Sequence, residues 1–129
     1  MMDYTQRMVD FTAKCGLPPP DTAAGAVVID FNGIAVSFLD NASGGAIVLH
    51  AEIGEALGGS GGEVARDMLE ANAALSERPG VVLCQDPETR AFAAIRSIPL
   101  QVAEPDVMVE AVGDLVKTAA SWRERLGHP

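Results

Sequence analysis

Positive charge is scarce in this chain. Nine lysines and arginines face eighteen aspartates and glutamates, for a formal net charge of -9. A nucleic-acid backbone needs a cationic face, so that partner is excluded. An anionic membrane surface is equally ill matched. Histidine is limited to His50 and His128, and cysteine to Cys15 and Cys84. Neither type recurs at ligand spacing, so no zinc site, and no other metal or cofactor, is expected. No apolar run reaches the length of a membrane span. The first ten residues, MMDYTQRMVD, lack a basic-then-apolar secretory pattern. A disulfide between two such distant thiols stays open as a reading, but the simpler expectation for this acidic chain is reduced thiols and a cytoplasmic protein. Aromatics make up only 5% of the residues.

Catalytic constellations are missing as well. The carboxylates fall in predicted turns or on predicted solvent faces, so no acid–base pair stands out. Cys84 reads as a small core residue; His50 could meet it only through the tertiary fold. No enzyme is expected. The sequence offers surfaces instead.

What the chain does have is apolar bulk: 48% hydrophobic and 21% charged residues in 129 positions. That describes one globular domain, residues 1–129, long enough to bury a core without staples.

The stretch VVLCQDPETRAFAAIRSIPL, Val81 to Leu100, reads as two strands around a polar loop. Asp86, Pro87, Glu88 and Thr89 are turn formers, and Pro99 ends the second strand because it cannot donate to a ladder. Helical runs flank it, Glu63 to Leu75 before and Asp106 to Leu126 after. In the first, Val64, Met68, Ala71 and Leu75 make one apolar stripe, and Ala65, Leu69 and Ala73 a second. Burial and a subunit interface both fit that width. In the last helix, Met108, Val112, Leu115, Ala119, Trp122 and Leu126 recur at steps of three and four.

The N-terminal half follows the same logic. Tyr4, Met8, Phe11 and Cys15 mark one face of a helix from Met2 to Cys15. Gly16 and Pro18-Pro19-Pro20 stop it; the prolines read as a stiff spacer or a short proline-recognition ligand. Asn32-Gly33 is a strong hairpin signal. It opposes Phe31 to Ile34, Ile29 to Val36 and Val27 to Phe38, all on one face. Ala46 to Ala51 adds a third strand. The run Gly58 to Gly62 before a helix invites comparison with phosphate-binding loops. It lacks their lysine and their glycine spacing, so a flexible connector is the simpler reading.

The result is an α+β fold: an antiparallel sheet of about five strands with three helices, in the order α-β-β-β-α-β-β-α. In that order stand MLEANAAL (Met68 to Leu75), QDPETR (Gln85 to Arg90), IPL (Ile98 to Leu100) and a closing helix with a late tryptophan. Together these resemble the class I type III secretion chaperones, the Tir chaperone or CesT-like family, over roughly Tyr4 to Leu126. One departure stands out. The family pattern has glycine after its "DPxT" motif where this chain has Arg90, so the turn is expected to close differently or to be longer.

The resemblance implies a homodimeric, non-catalytic cytosolic chaperone. Such a protein binds the N-terminal segment of a secreted effector without ATP, holds it extended and presents it for secretion. It also implies a dimer contact on the middle helix and the next strand, enlisting Val64, Met68, Leu69 and Val82. Effector-binding patches on the first helix and the sheet would use Tyr4, Met8, Phe11 and Phe38. Two other readings stay open: a regulatory or scaffold module that binds a folded partner, and a small enzyme with an unrecognised site. Exposed apolar patches, one flat interface, or a deep pocket with perturbed ionisable groups would tell them apart.

Overall fold

The structure, a computed structural model, describes residues 3–56, 61–75 and 80–127. Helix α1 is Tyr4–Lys14. It is followed by β1 (Ala26–Phe31), β2 (Ile34–Asn41), β3 (Ala46–Gly54), α2 (Gly61–Leu75), β4 (Val82–Gln85), β5 (Phe92–Pro99) and α3 (Pro105–Arg125), with a 3-10 turn at Leu100–Val102. The order of helices and strands is the expected one. The strands form one antiparallel sheet in the order β1-β2-β3-β5-β4.

Local chemistry sets the ends of these elements. Asp3 caps α1 by accepting from the Gln6 amide at 2.8 Å, which satisfies one of the orphan donors at a helix start. Pro105 opens α3 at a position where a missing N–H costs nothing. Asn32 and Gly33 turn β1 into β2 with φ of 55 and 89, so the register is the one the turn dictates. Phe31 faces Ile34, Ile29 faces Val36 and Val27 faces Phe38. Of the glycine run, Gly58 and Gly59 lie outside the described residues, whereas Gly61 and Gly62 already belong to α2.

One face of the sheet is covered. Val36, Phe38, Ile47, Leu49, Ala51, Ile53, Phe92, Ala94 and Ile98 point into a core closed by α1 and α3. Helix α3 supplies Met108, Ala111, Val112, Leu115 and Ala119 to it. The amphipathic stripe is thus buried, with Trp122 partly so, while Glu110, Asp114, Lys117, Ser121 and Glu124 remain exposed. Burying aliphatic and aromatic side chains stabilises by roughly 1.5–3 kcal/mol each, and this set is the main holding force of the fold. Arg7 is also buried. Its Nε donates to the Leu100 carbonyl at 2.9 Å and its Nη2 to that of Gln101 at 3.2 Å, tying α1 to the segment that leads into α3.

The opposite face has no such cover. Val28, Ser37, His50, Ile95 and Val82 lie in one row across all five strands, and none of them is buried. At the far end, α2 packs along β4. Its Val64 and Met68 face the core, whereas Leu69 is 71% exposed. The two stripes read from the sequence therefore divide. Val64 and Met68 of the first are buried in the protomer's own core, with Ala71 and Ala65 packed partly against it, whereas Leu69 and Ala73 of the second are left outside.

Candidate functional site

The sheet has two outer edges, and they differ. In β1, the residues that bond β2 are those registered with the tight turn: Phe31, Ile29 and Val27. In an antiparallel ladder the alternate residues then turn their N–H and C=O outward. Here these are Ala26, Val28 and Asp30, and none of their outward groups bonds another described backbone segment. A bare edge of this kind is a template for an added strand.

Beside that edge lies an apolar groove of about 360 Å³. Phe11 and Cys15 of α1 form one wall. Phe31 and Asn32 at the end of β1 form another, and Val109, Val112, Gly113, Val116 and Lys117 of α3 the third. Phe31 is only half-buried, and Val109 is 42% exposed. Gly113 widens the groove, since a Cβ placed there would meet nothing. A strand laid on β1 alternates its side chains between the two faces, and those on the core side beside Phe31 would lie nearest this hollow.

Tyr4, Met8, Phe11 and Phe38, expected as a surface patch, are all in the core, with at most 4% exposure. Periodicity identifies an apolar helix face but does not say what covers it, and here the sheet does. Phe11 packs tilted against Phe38 with ring centroids 5.2 Å apart, and it also lines the groove. Tyr4 donates to the Phe38 carbonyl at 2.5 Å. Burial, helped by Asp40, pushes its hydroxyl up to about 12. Three of the groove's residues on α3, Val109, Gly113 and Val116, were missed in the sequence. Their signal is a second stripe on α3, Val109, Gly113 and Val116 at steps of four and three, hidden because its middle member has no side chain.

The expected dimer residues also split. Val64 and Met68 are buried within the protomer, at 4% and 3%. Leu69 and Val82 are exposed, at 71% and 55%. On the open face nearby, His50, Glu52, Cys84, Ala93 and Ile95 border a shallow hollow of about 400 Å³ below the β4–β5 turn. Cys84 is a free thiol pushed up by burial and by Asp86. Cys15 is free too, and burial pushes it up as well. A raised thiol is a poor nucleophile. Among the described residues no cluster of three or more His, Cys, Asp or Glu could hold a metal ion. Nor is any helix among the described residues long and apolar enough to cross a membrane.

Residues 8–123 match the Tir chaperone protein (CesT) family. The chain belongs to that family. Several solved structures share its fold. A chain of the HopA1-SchA chaperone-effector complex superposes with a TM-score of 0.82 at 15% identity, covering 94% of this chain and 93% of that one. The Yersinia pestis type III secretion chaperone SycH, in complex with a stable fragment of YscM2, is similar at a TM-score of 0.75 and 15% identity, covering 92% and 98%. The ExoT-SpcS complex of Pseudomonas aeruginosa is similar at 0.72 and 14%, covering 93% and 98%. No curated protein sequence matches.

Proposed function

We propose that this protein is an ATP-independent type III secretion chaperone of the cytoplasm. It binds the N-terminal segment of a secreted effector and keeps that segment extended and competent for secretion. It carries out no reaction of its own. The observation that carries this reading is the pairing of a bare β1 edge with the apolar groove beside it. Backbone bonds to the edge would give affinity for any extended chain, and the groove would select bulky apolar side chains. The family, and solved relatives captured as chaperone-effector complexes, support the same reading. A client held extended also loses ordering entropy on binding, which lowers affinity per unit area and suits later release.

The chaperone works as a homodimer joined at the α2–β4 end, where Leu69 and Val82 stand exposed. Val64 and Met68 support that surface from beneath. Leu69→Glu and Val82→Glu therefore leave the protomer's core intact and place charges in the proposed contact. Sedimentation is expected to show a dimer for the native protein and a monomer for the double variant, with unchanged circular dichroism. A native protein that sediments as a monomer at micromolar concentration would sink the dimer.

The client test is co-expression with a secreted protein encoded next to this one, followed by limited proteolysis. A protected N-terminal fragment bound to the chaperone is expected. Binding of a folded domain alone, with the N-terminal segment still cleaved, would identify a scaffold or regulatory module instead.

A further inference from the structure

The outer edge of β4 is occupied by a side chain. Asn72 of α2 donates from Nδ2 to the Leu83 carbonyl at 2.8 Å, and its Oδ1 accepts from the Leu83 N–H, also at 2.8 Å. Leu83 faces Ala94 across the ladder, yet both its backbone groups turn away from β5. That is the geometry of a widely spaced antiparallel pair, whose free groups would receive the next strand. A carboxamide presents one donor and one acceptor side by side, as a peptide edge does. Asn72 thus fills the place of a sixth strand at the middle of a strand only four residues long. We propose that Asn72 is a positioning residue that closes the β4 edge and confines strand addition to β1. No side chain does the same for Ala26, Val28 or Asp30 among the described residues. One sheet with two open edges would take two extended segments per protomer, or would polymerise edge to edge. With one edge closed, each protomer takes a single strand, in a single place. The closure of β4 stands on the two hydrogen bonds; the assignment of β1 to a client rests on the function proposed above.

The test compares the native protein with Asn72→Leu, which keeps the bulk and loses both bonds. Asn72→Asp, which can still accept from the Leu83 N–H but cannot donate, serves as the partial rescue and as the working variant should Asn72→Leu not fold. Amide hydrogen exchange at Leu83 is read against Leu49, deep in the sheet. Loss of the cap is expected to speed exchange at Leu83 about tenfold or more while Leu49 is unchanged, with Asn72→Asp in between. A fluorescent synthetic peptide of alternating valine and threonine then counts open edges by titration. In the monomeric Leu69→Glu/Val82→Glu background, where no partner covers β4, Asn72→Leu is expected to take one more peptide per protomer than the same background with Asn72. Unchanged protection at Leu83, or no added site, overturns the proposal. A native protein that takes no peptide at all counts against the β1 reading. A site gained only by Asn72→Leu would still uphold the cap.

Discussion

The β1–β2 and β4–β5 turns stand at the same end of the sheet and meet the same demand by different means. Each needs a residue in the left-handed region. At the first turn the demand falls on Asn32 and Gly33, with φ of 55 and 89, two residue types that accept it at little cost. Asp30 adds one bond, accepting from the Gly33 amide at 2.8 Å. At the second turn it falls on Arg90, with φ of 66. An L-residue with a Cβ pays roughly 1–2 kcal/mol there. The surroundings hold it in place. The Asp86 amide donates to the Ala91 carbonyl at 2.9 Å and the Arg90 amide to the Asp86 carbonyl at 2.8 Å. The Asp86 carboxylate accepts from Glu88 and Thr89, and Gln85 Nε2 donates to the Arg90 carbonyl at 3.0 Å. A turn can thus be specified by the residue that suffers the conformation or by the bonds around it.

The strongest way to break this comparison is Gly33→Ala. A Cβ at Gly33 would touch nothing, so the cost is conformational alone, about 1–2 kcal/mol. Chemical denaturation should show that loss as a lower midpoint with an unchanged slope. A loss below about 0.5 kcal/mol would mean that the residue type does not specify the first turn. Next comes Asp86→Ala, which removes the two bonds that the Asp86 carboxylate accepts at the second turn and should cost about 1 kcal/mol. Asp30→Ala removes a single bond and should cost less. Equal costs would show that the second turn is no more dependent on its side chains than the first.

The same contrast explains what was legible in the sequence. The first hairpin could be read down to its residue pairs, because Asn-Gly fixes a two-residue turn and alternation fixes the faces. The second was expected to close differently or to lengthen, because arginine stood where glycine would be easiest. It closes with Arg90 itself in the left-handed region, which no local propensity announces. Helix faces were legible, but their destinations were not. Tyr4, Met8 and Phe11 formed a sound apolar helix face that meets Phe38 of β2 in the chain's own core, while Cys15, read on the same face, is exposed. On α2, periodicity gave two stripes, and only the packing on β4 showed that Met68 is inside and Leu69 outside. The groove escaped notice because Gly113 contributes space, which leaves no mark in a hydrophobic pattern. Asn72 was read within a family-like motif, while its bonds to Leu83 needed the eleven-residue return of the chain to β4.

The smallest effect separates residue from surroundings most directly. Arg90→Gly keeps every backbone bond of the second turn, since the Arg90 amide, its carbonyl and the Asp86 network do not involve its side chain. It removes the Cβ that makes φ of 66 costly, a gain of about 1 kcal/mol. It also gives the unfolded chain more freedom, a loss of roughly 0.5 kcal/mol. The net expectation is a stabilisation of about 0.5 kcal/mol, measured by denaturant midpoint in parallel with Arg90→Ala. Alanine keeps the strain and removes only the exposed guanidinium stem, so it should change stability little. If glycine stabilises and alanine does not, Arg90 is held against its preference by the bonds around it. If both destabilise by the same amount, the arginine side chain itself supports the turn, and the second hairpin is specified by its residue as much as the first.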